Sequence, residues 1–268
     1  MTIKHRIIGS VLSLLFAQQD QERLGHFILS RARGEDNDDA ATNGEYALLL
    51  RMAASGHRPE VVFDVGANKG EWSAQARQAF GEGAEIYASE PVCETHTFLE
   101  KQLAVLPASE KTHAIHAAMG DTSGTVEMRV FGELAGSNSL YQRSGCQVQG
   151  QRSESVCVQR GDVFCSQRSI RRINLLKIDT EGHEMAVLRG FNGLLAQRGV
   201  DVIQFEYGGT WIDAGILLKE AFALLVAHGY RMGRLMPNRV QWFDDYSQKF
   251  GNFRYCNWVT ALPTRDVS

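Results

Sequence analysis

The chemistry this chain can do is concentrated in a glycine loop and in the acids at the ends of a few apolar runs. The loop is Asp64-Val65-Gly66-Ala67-Asn68-Lys69-Gly70. Gly66 and Gly70 let the backbone turn tightly and let a ligand come close to it. The spacing is G-x-x-x-G, so neither the dinucleotide fingerprint nor the phosphate loop is present. Asp64 beside such a loop would repel phosphate and attract an ammonium, or stand near a sulfonium. Glu90-Pro91 closes the next apolar run, where an acid meets ribose hydroxyls in doubly wound folds. Two acids at adjacent strand ends fit an adenosyl amino acid. Asp121, in Met119-Gly120-Asp121, can accept from an adenine amino group, although a turn aspartate accounts for it nearly as well. The predicted binding residues are therefore Asp64, Gly66, Ala67, Asn68, Gly70, Glu90, Pro91, Asp121 and Asp179. A third cluster, Asp179, Glu181 and His183 with Glu206 further on, combines carboxylates with an imidazole suited to proton transfer.

These residues need a scaffold, and the pattern from residue 60 onward supplies one. Short apolar runs alternate with helical stretches, the mark of parallel strands joined by crossover helices. Strands are predicted at 61–65, 85–89, 113–117, 175–178 and 202–206, and further ones at 230–235, 239–243 and 253–261. Helices are predicted at 72–80, 95–103, 184–196 and 217–229. Residues 125–163 mix β-type residues with Gly and Ser and read as either a β-hairpin or an active-site loop. Before this lies a helical extension, residues 1–58, with helices at 7–17, 21–33 and 45–54 around a polar break at 34–39. The expected division is an extension at 1–58 and one α/β domain at 59–268.

Composition narrows the partners. The 268 residues are 44% hydrophobic and 22% charged with a net charge of -3. There is thus no basic excess to suggest nucleic acid. The five cysteines, Cys93, Cys146, Cys157, Cys165 and Cys256, are odd in number and form no C-x-x-C pair. That argues against a disulfide framework or zinc site and for a reducing, cytoplasmic setting. The apolar run at 7–17 is too short to span a bilayer and no small-x-small cleavage site follows it. An amphipathic packing helix is expected there, with peripheral membrane attachment as a lesser alternative to it and no stable membrane insertion. A monomer or homodimer is expected.

Three motifs resemble the FkbM family of S-adenosylmethionine-dependent methyltransferases. The loop at 64–70 is similar to its D-V-G-A-N-x-G motif, and Ile86-Tyr87-Ala88-Ser89-Glu90-Pro91 to its Y-x-F-E-P motif. Leu175-Leu176-Lys177-Ile178-Asp179-Thr180-Glu181-Gly182-His183-Glu184 matches its most distinctive stretch. The motifs occur in family order over 64–206. Two positions depart from the pattern: Ser89 replaces the usual Phe, and Gly161-Asp162 the usual Leu-Asp, the latter placed where it could alter the acceptor pocket. The resemblance implies a doubly wound, mostly parallel sheet of seven strands, S-adenosyl-L-methionine as cofactor, and methyl transfer to a hydroxyl of a sugar or other small molecule.

Such a transfer needs in-line alignment and removal of a proton from a weakly acidic hydroxyl. Asp179, at the end of the fourth strand, would face the methyl, His183 would be the base, and Glu206 is a second acid within reach of the cleft. Helix-start carboxylates favoured by the dipole are the structural alternative. The same three residues could instead ligate a magnesium-like ion, which is the less favoured reading, and a non-catalytic binding protein or a nicotinamide oxidoreductase would use the same fold. Met185, Leu188, Phe191 and Leu195 recur at helical spacing and are expected in the core. Tyr207, Trp211, Trp242 and Trp258 are expected to pack, with Tyr207 and Trp211 also candidates to line an acceptor pocket. Gly136-Ser137-Asn138-Ser139 is a candidate lid.

Overall fold

A computed structural model of the chain describes residues 16–56, 58–132, 136, 138–142, 152–265 and 267. The predicted helix at 7–17 lies outside these residues but for its last two positions. In chain order the elements are α1 (Gln18–Arg33), α2 (Glu45–Ala54), β1 (Val61–Val65), α3 (Glu71–Phe80), β2 (Glu85–Ser89), α4 (Cys93–Leu103), β3 (Thr112–Ile115), β4 (Ala118–Gly120) and β5 (Gly124–Val130). They continue with β6 (Arg152–Arg160), α5 (Gly161–Gln167), β7 (Ile173–Ile178), α6 (Glu184–Gly190), α7 (Asn192–Ala196), β8 (Val200–Tyr207), α8 (Thr210–Asp213), α9 (Leu218–Ala227), β9 (Arg231–Met236), β10 (Arg239–Phe243) and β11 (Cys256–Ala261).

The main sheet runs β10-β9-β11-β8-β7-β1-β2-β3. From β8 to β3 every pairing is parallel, while β11 enters antiparallel between β8 and β9, and β10 folds back on β9. The sheet thus has eight strands where the resemblance implied seven. The eighth is β10, held by the two-residue turn that returns it along β9. The central strands carry nearly continuous apolar sequence, VVFDV in β1 and INLLKI in β7, because helices cover both faces. One face packs Phe63, Leu188, Phe191, Trp211 and Trp258; the other packs Ile86, Leu175, Val202 and Val259 against Leu48, Leu49 and Met52 of α2. At about 1.5–3 kcal/mol for each fully buried side chain, those three residues fasten α2 firmly to the sheet.

Further links tie the extension down. Glu35 and Arg234, both buried, pair at 2.8 Å, and Asp36 N–H donates to the Tyr255 carbonyl at 2.8 Å. Gly44 has φ +110° and passes so close to β9 that a Cβ would overlap the Met236 carbonyl oxygen.

Three stretches differ from the expectation or refine it. The strand expected at 113–117 ends at Ile115 as β3, and a further strand not expected from sequence, β4, leaves the main sheet to pair with β6 in a second, three-stranded sheet, β4-β6-β5. The described residues of 125–163 include the antiparallel β5–β6 pairing followed by the start of α5. The helix expected at 184–196 breaks at Phe191. Gly190 lies against Gly120 with room for no Cβ, and Asp162 accepts the Gly193 and Leu194 N–H groups at 2.8 and 3.0 Å, starting a new helix. Gly161 gives its side-chain space to the Phe191 ring, so the Gly161-Asp162 departure serves packing.

Candidate functional site

The carboxyl ends of β1, β2, β7 and β8 surround one cavity of about 980 Å³. Of the residues predicted from sequence, Gly66, Ala67, Asn68, Glu90, Pro91, Asp179, His183 and Glu206 line it. Asp64, Gly70 and Asp121 do not. Asp64 is fully buried beneath the floor, accepting the Ser73 hydroxyl at 2.7 Å and standing 3.4 Å from the Lys177 ammonium. Its charge is used inside the protein, so the expected contact with a ligand ammonium is replaced by one with a lysine. Gly70 serves helix packing, since a Cβ there would meet Leu99 at 2.7 Å. Asp121 follows β4 away from the cavity, near enough to His183 for its charge to oppose the fall in that imidazole's pKa.

The loop after β1 is held by its neighbours. Gly66 and Ala67 donate their N–H groups to the Ser89 carbonyl at 3.0 and 2.9 Å. Gly66 has φ +82°, and a Cβ on it would overlap the Asp179 carbonyl oxygen. The β1 and β7 loops can therefore cross only at a glycine. Glu90, almost fully buried, accepts the Val92 and Asn68 N–H groups at 2.9 and 3.2 Å. Burial pushes its carboxyl up to about 7, with those two hydrogen bonds acting against the shift. The Asn68 Oδ1 is buried without a hydrogen-bond partner.

On the β7–β8 side a charge network emerges that the sequence reading did not assign. Lys177 Nζ lies 3.2 Å from Asp179 and 3.4 Å from Asp64, with only 7% of its side chain exposed. Burial opposes its charge, but the two carboxylates and Glu45 outweigh burial and raise its pKa. Asp179 is correspondingly held low despite burial, chiefly by Lys177, while burial and the neighbouring Asp179 charge drive Glu206 well above the ordinary carboxyl range. The two shifts run in opposite directions, so a proton held by this pair of carboxyls resides on Glu206 rather than on Asp179. A lysine inside the otherwise apolar run Leu175-Leu176-Lys177-Ile178 was the available signal, because a central parallel strand does not bury a cation without partners.

Glu184 shapes the turn between these groups. Its fully buried carboxylate accepts the Thr180 N–H at 2.8 Å, the Thr180 hydroxyl at 3.1 Å and the Gly182 N–H at 3.1 Å. Burial still pushes it up to about 7. It holds Glu181 and Gly182 at φ 55° and 106°, presenting His183 at the start of α6. Burial lowers the His183 pKa, and the ring Nδ1 is 3.0 Å from the Tyr141 hydroxyl. Ser139 Oγ donates to the Glu181 carbonyl at 2.7 Å, fastening the 138–142 segment to that turn. Gly136 and Asn138 of the candidate lid line the cavity; Ser137 is outside the described residues.

The extension supplies part of the wall: Asp38, Ala40, Glu45 and Tyr46 all reach the cavity. Glu45 accepts from Asn43 and Gln204 at 2.9 and 2.8 Å and from Asn257 at 3.1 Å, which fixes it over β8 and β11. Tyr255 and Thr210 line the same side, the Thr210 Oγ1 buried without a hydrogen-bond partner. Tyr207 and Trp211, candidates for this wall, are instead buried in the core and do not reach it. Among the described residues no three His, Cys, Asp or Glu side chains converge as a metal site. The cation beside Asp179 is the Lys177 ammonium.

Comparison with known proteins gives three kinds of finding. Residues 64–232, more than half of the chain, match the model of the methyltransferase FkbM domain. Methyltransferase sdnD of Sordaria araneosa is 26% identical, the match covering 69% of this chain and 77% of that protein. Hexuronic acid methyltransferase AglP of Haloferax volcanii is 22% identical over 66% of this chain and 69% of its own length. Among solved structures, the methyltransferase FkbM from Methylobacillus flagellatus KT superimposes with a TM-score of 0.48 at 14% identity, covering 89% of this chain and 59% of that one. This chain thus spans less than two thirds of that structure's chain.

Proposed function

Because this chain belongs to the FkbM methyltransferase family, we propose that it transfers the methyl group of S-adenosyl-L-methionine to a hydroxyl oxygen of a small molecule or sugar. The observation that carries this reading is the division of one cavity into a Glu90–Asn68 side and an Asp179–Glu206 side. The first suits the cofactor. Glu90 is a buried carboxylate with lone pairs left for ribose hydroxyls, and the unpartnered Asn68 Oδ1 awaits a donor. The cavity volume, about 980 Å³, accommodates a cofactor and a small acceptor together. When bound, S-adenosyl-L-methionine supplies an electrophilic methyl on a sulfonium.

The chain's own residues handle the acceptor. Asp179, ionised beside Lys177, accepts a hydrogen bond from the acceptor hydroxyl and orients its oxygen. Glu206, protonated, donates to Asp179 and keeps that carboxylate in place. His183, kept neutral by burial, is ready to take the proton. Its Nδ1 is paired with the Tyr141 hydroxyl at 3.0 Å and its Nε2 packs against Gly120, where even a Cβ would come within 3.0 Å of it, so the ring is held in one orientation. The Asp179 and Glu45 carboxylates on this side favour an acceptor with no carboxylate or phosphate next to the reacting hydroxyl. That the relative from Haloferax volcanii is named for hexuronic acid supports a sugar as the first class to screen, with its neutral forms first.

The test is calorimetry with S-adenosylhomocysteine followed by an acceptor screen that reads its release. Micromolar binding is expected, weakened at least about tenfold in Glu90→Ala, the loss of one charge-assisted interaction. Asp179→Asn should bind S-adenosylhomocysteine and lose turnover. Absence of binding in the native protein would end this reading.

A further inference from the structure

The helix α1 (Gln18–Arg33) has no buried residue, although it carries Leu24, Phe27 and Ile28, which are 39%, 64% and 55% exposed. A helix of sixteen residues, none of them buried, gains little from tertiary contacts with the described residues and is marginal alone. Asp20, Leu24, Phe27 and Arg31 follow one another at spacings of four, three and four, the stripe of a two-helix seam.

This stripe is complementary to itself in one direction only. If two copies of α1 pack antiparallel about a twofold axis passing between positions 25 and 26, Leu24 meets Phe27 of the second copy and Asp20 meets Arg31, each contact occurring twice. Ile28 then lies over the aliphatic stem of Arg23. A parallel pair would instead set Asp20 against Asp20 and Arg31 against Arg31. Within the monomer Asp20 is only 3.9 Å from Arg23, an exposed pair that a closer partner can displace. We propose that α1 is the contact of a symmetric homodimer, its occupant being a second copy of this chain. The interface is isologous, as a closed twofold requires. Two helices of this length bury less than the roughly 1,200 Å² typical of stable complexes, so the dimer is weak and concentration-dependent. None of the four seam residues lines the cavity, so the proposal is independent of the proposed chemistry.

Sedimentation velocity on the full chain across a wide concentration range tests this. The native protein should pass from monomer to dimer as concentration rises. Asp20→Arg and Arg31→Asp should each weaken dimerisation at least about tenfold, by placing like charges opposite each other, and the double exchange Asp20→Arg/Arg31→Asp should restore it. Circular dichroism and S-adenosylhomocysteine binding of each variant report whether the fold has survived. A monomer at all concentrations would overturn the proposal, as would a dimer that both single variants leave unchanged or that the double exchange fails to rescue. Flotation of a monomeric native protein with phosphatidylserine-containing vesicles would overturn it in favour of a lipid surface.

Discussion

Replacing Lys177 with Met removes the cation between two carboxylates while keeping the bulk of the side chain. Asp64 has no exposure to water and Asp179 is only partly exposed, so Asp64 bears the consequence. The variant must either keep a buried, unpaired carboxylate or bind a proton. For a carboxyl of ordinary pKa near 3.9, binding a proton at pH 7 costs about 4 kcal/mol at about 1.36 kcal/mol per pH unit. This agrees with the roughly 3–5 kcal/mol lost when one member of a buried ion pair is removed. In a chain of this size that is a fall in melting temperature on the order of 10 °C. The sign with pH follows. In the variant, the folded state binds a proton that the unfolded state has released, so its stability falls as pH rises. The gap to the native protein should therefore be about 1–2 kcal/mol at pH 5 and widen by about 1.4 kcal/mol per pH unit toward neutrality. Urea unfolding at pH 5 and pH 7 measures it, and Asp64→Asn/Lys177→Met should recover most of the loss. A gap below about 1 kcal/mol at pH 7, a gap that does not change with pH, or a double variant no better than the single one would refute the reasoning.

Two further outcomes are expected. Gly66→Ala forces a Cβ onto the Asp179 carbonyl at a positive φ. It should cost more than about 3 kcal/mol in thermal unfolding and abolish S-adenosylhomocysteine binding in calorimetry. Because the Glu90 carboxyl is raised to about 7 and ribose hydroxyls favour its ionised form, S-adenosylhomocysteine affinity should rise with pH below 7 and level off above it. Calorimetry at about pH 6.5 in two buffers of different ionisation enthalpy should detect the proton released on binding, and Glu90→Gln should remove both effects.

The strands at the centre of the sheet were legible because burial on both faces writes a continuous apolar run: 61–65 and 85–89 were predicted with their observed ends. The second, small sheet was not, because β4 and β6 pair across a long stretch of sequence and much of β6 is exposed, so neither writes a clear apolar run. The break after Gly190 escaped notice for a similar reason: Met185, Leu188, Phe191 and Leu195 keep helical spacing and are all buried, while the interruption comes from the Gly120 backbone and Asp162. In the site, residue types and strand ends placed eight of the predicted residues around one cavity. Glu45 and Tyr255 could not be read from spacing, since they converge from opposite ends of the chain. Asp64 was misread for want of one fact, that the side chain two strand positions before Asp179 points back at it as an ammonium.

The extension is fastened to the sheet by residues very distant in sequence: Glu35 with Arg234 are 199 positions apart, and Glu45, which lines the cavity, is 212 from Asn257. On a ribosome adding about 5–20 residues per second, the extension is complete roughly ten to forty seconds before β11 is. Until then Leu48, Leu49 and Met52 lack Val259, and Glu45 lacks Asn257. The β1 and β2 loops, by contrast, are synthesised close together. The nascent protein therefore acquires the parts of the Glu90–Asn68 side of the cavity early and the Glu45 wall last, with the apolar face of α2 only partly covered until β11 arrives.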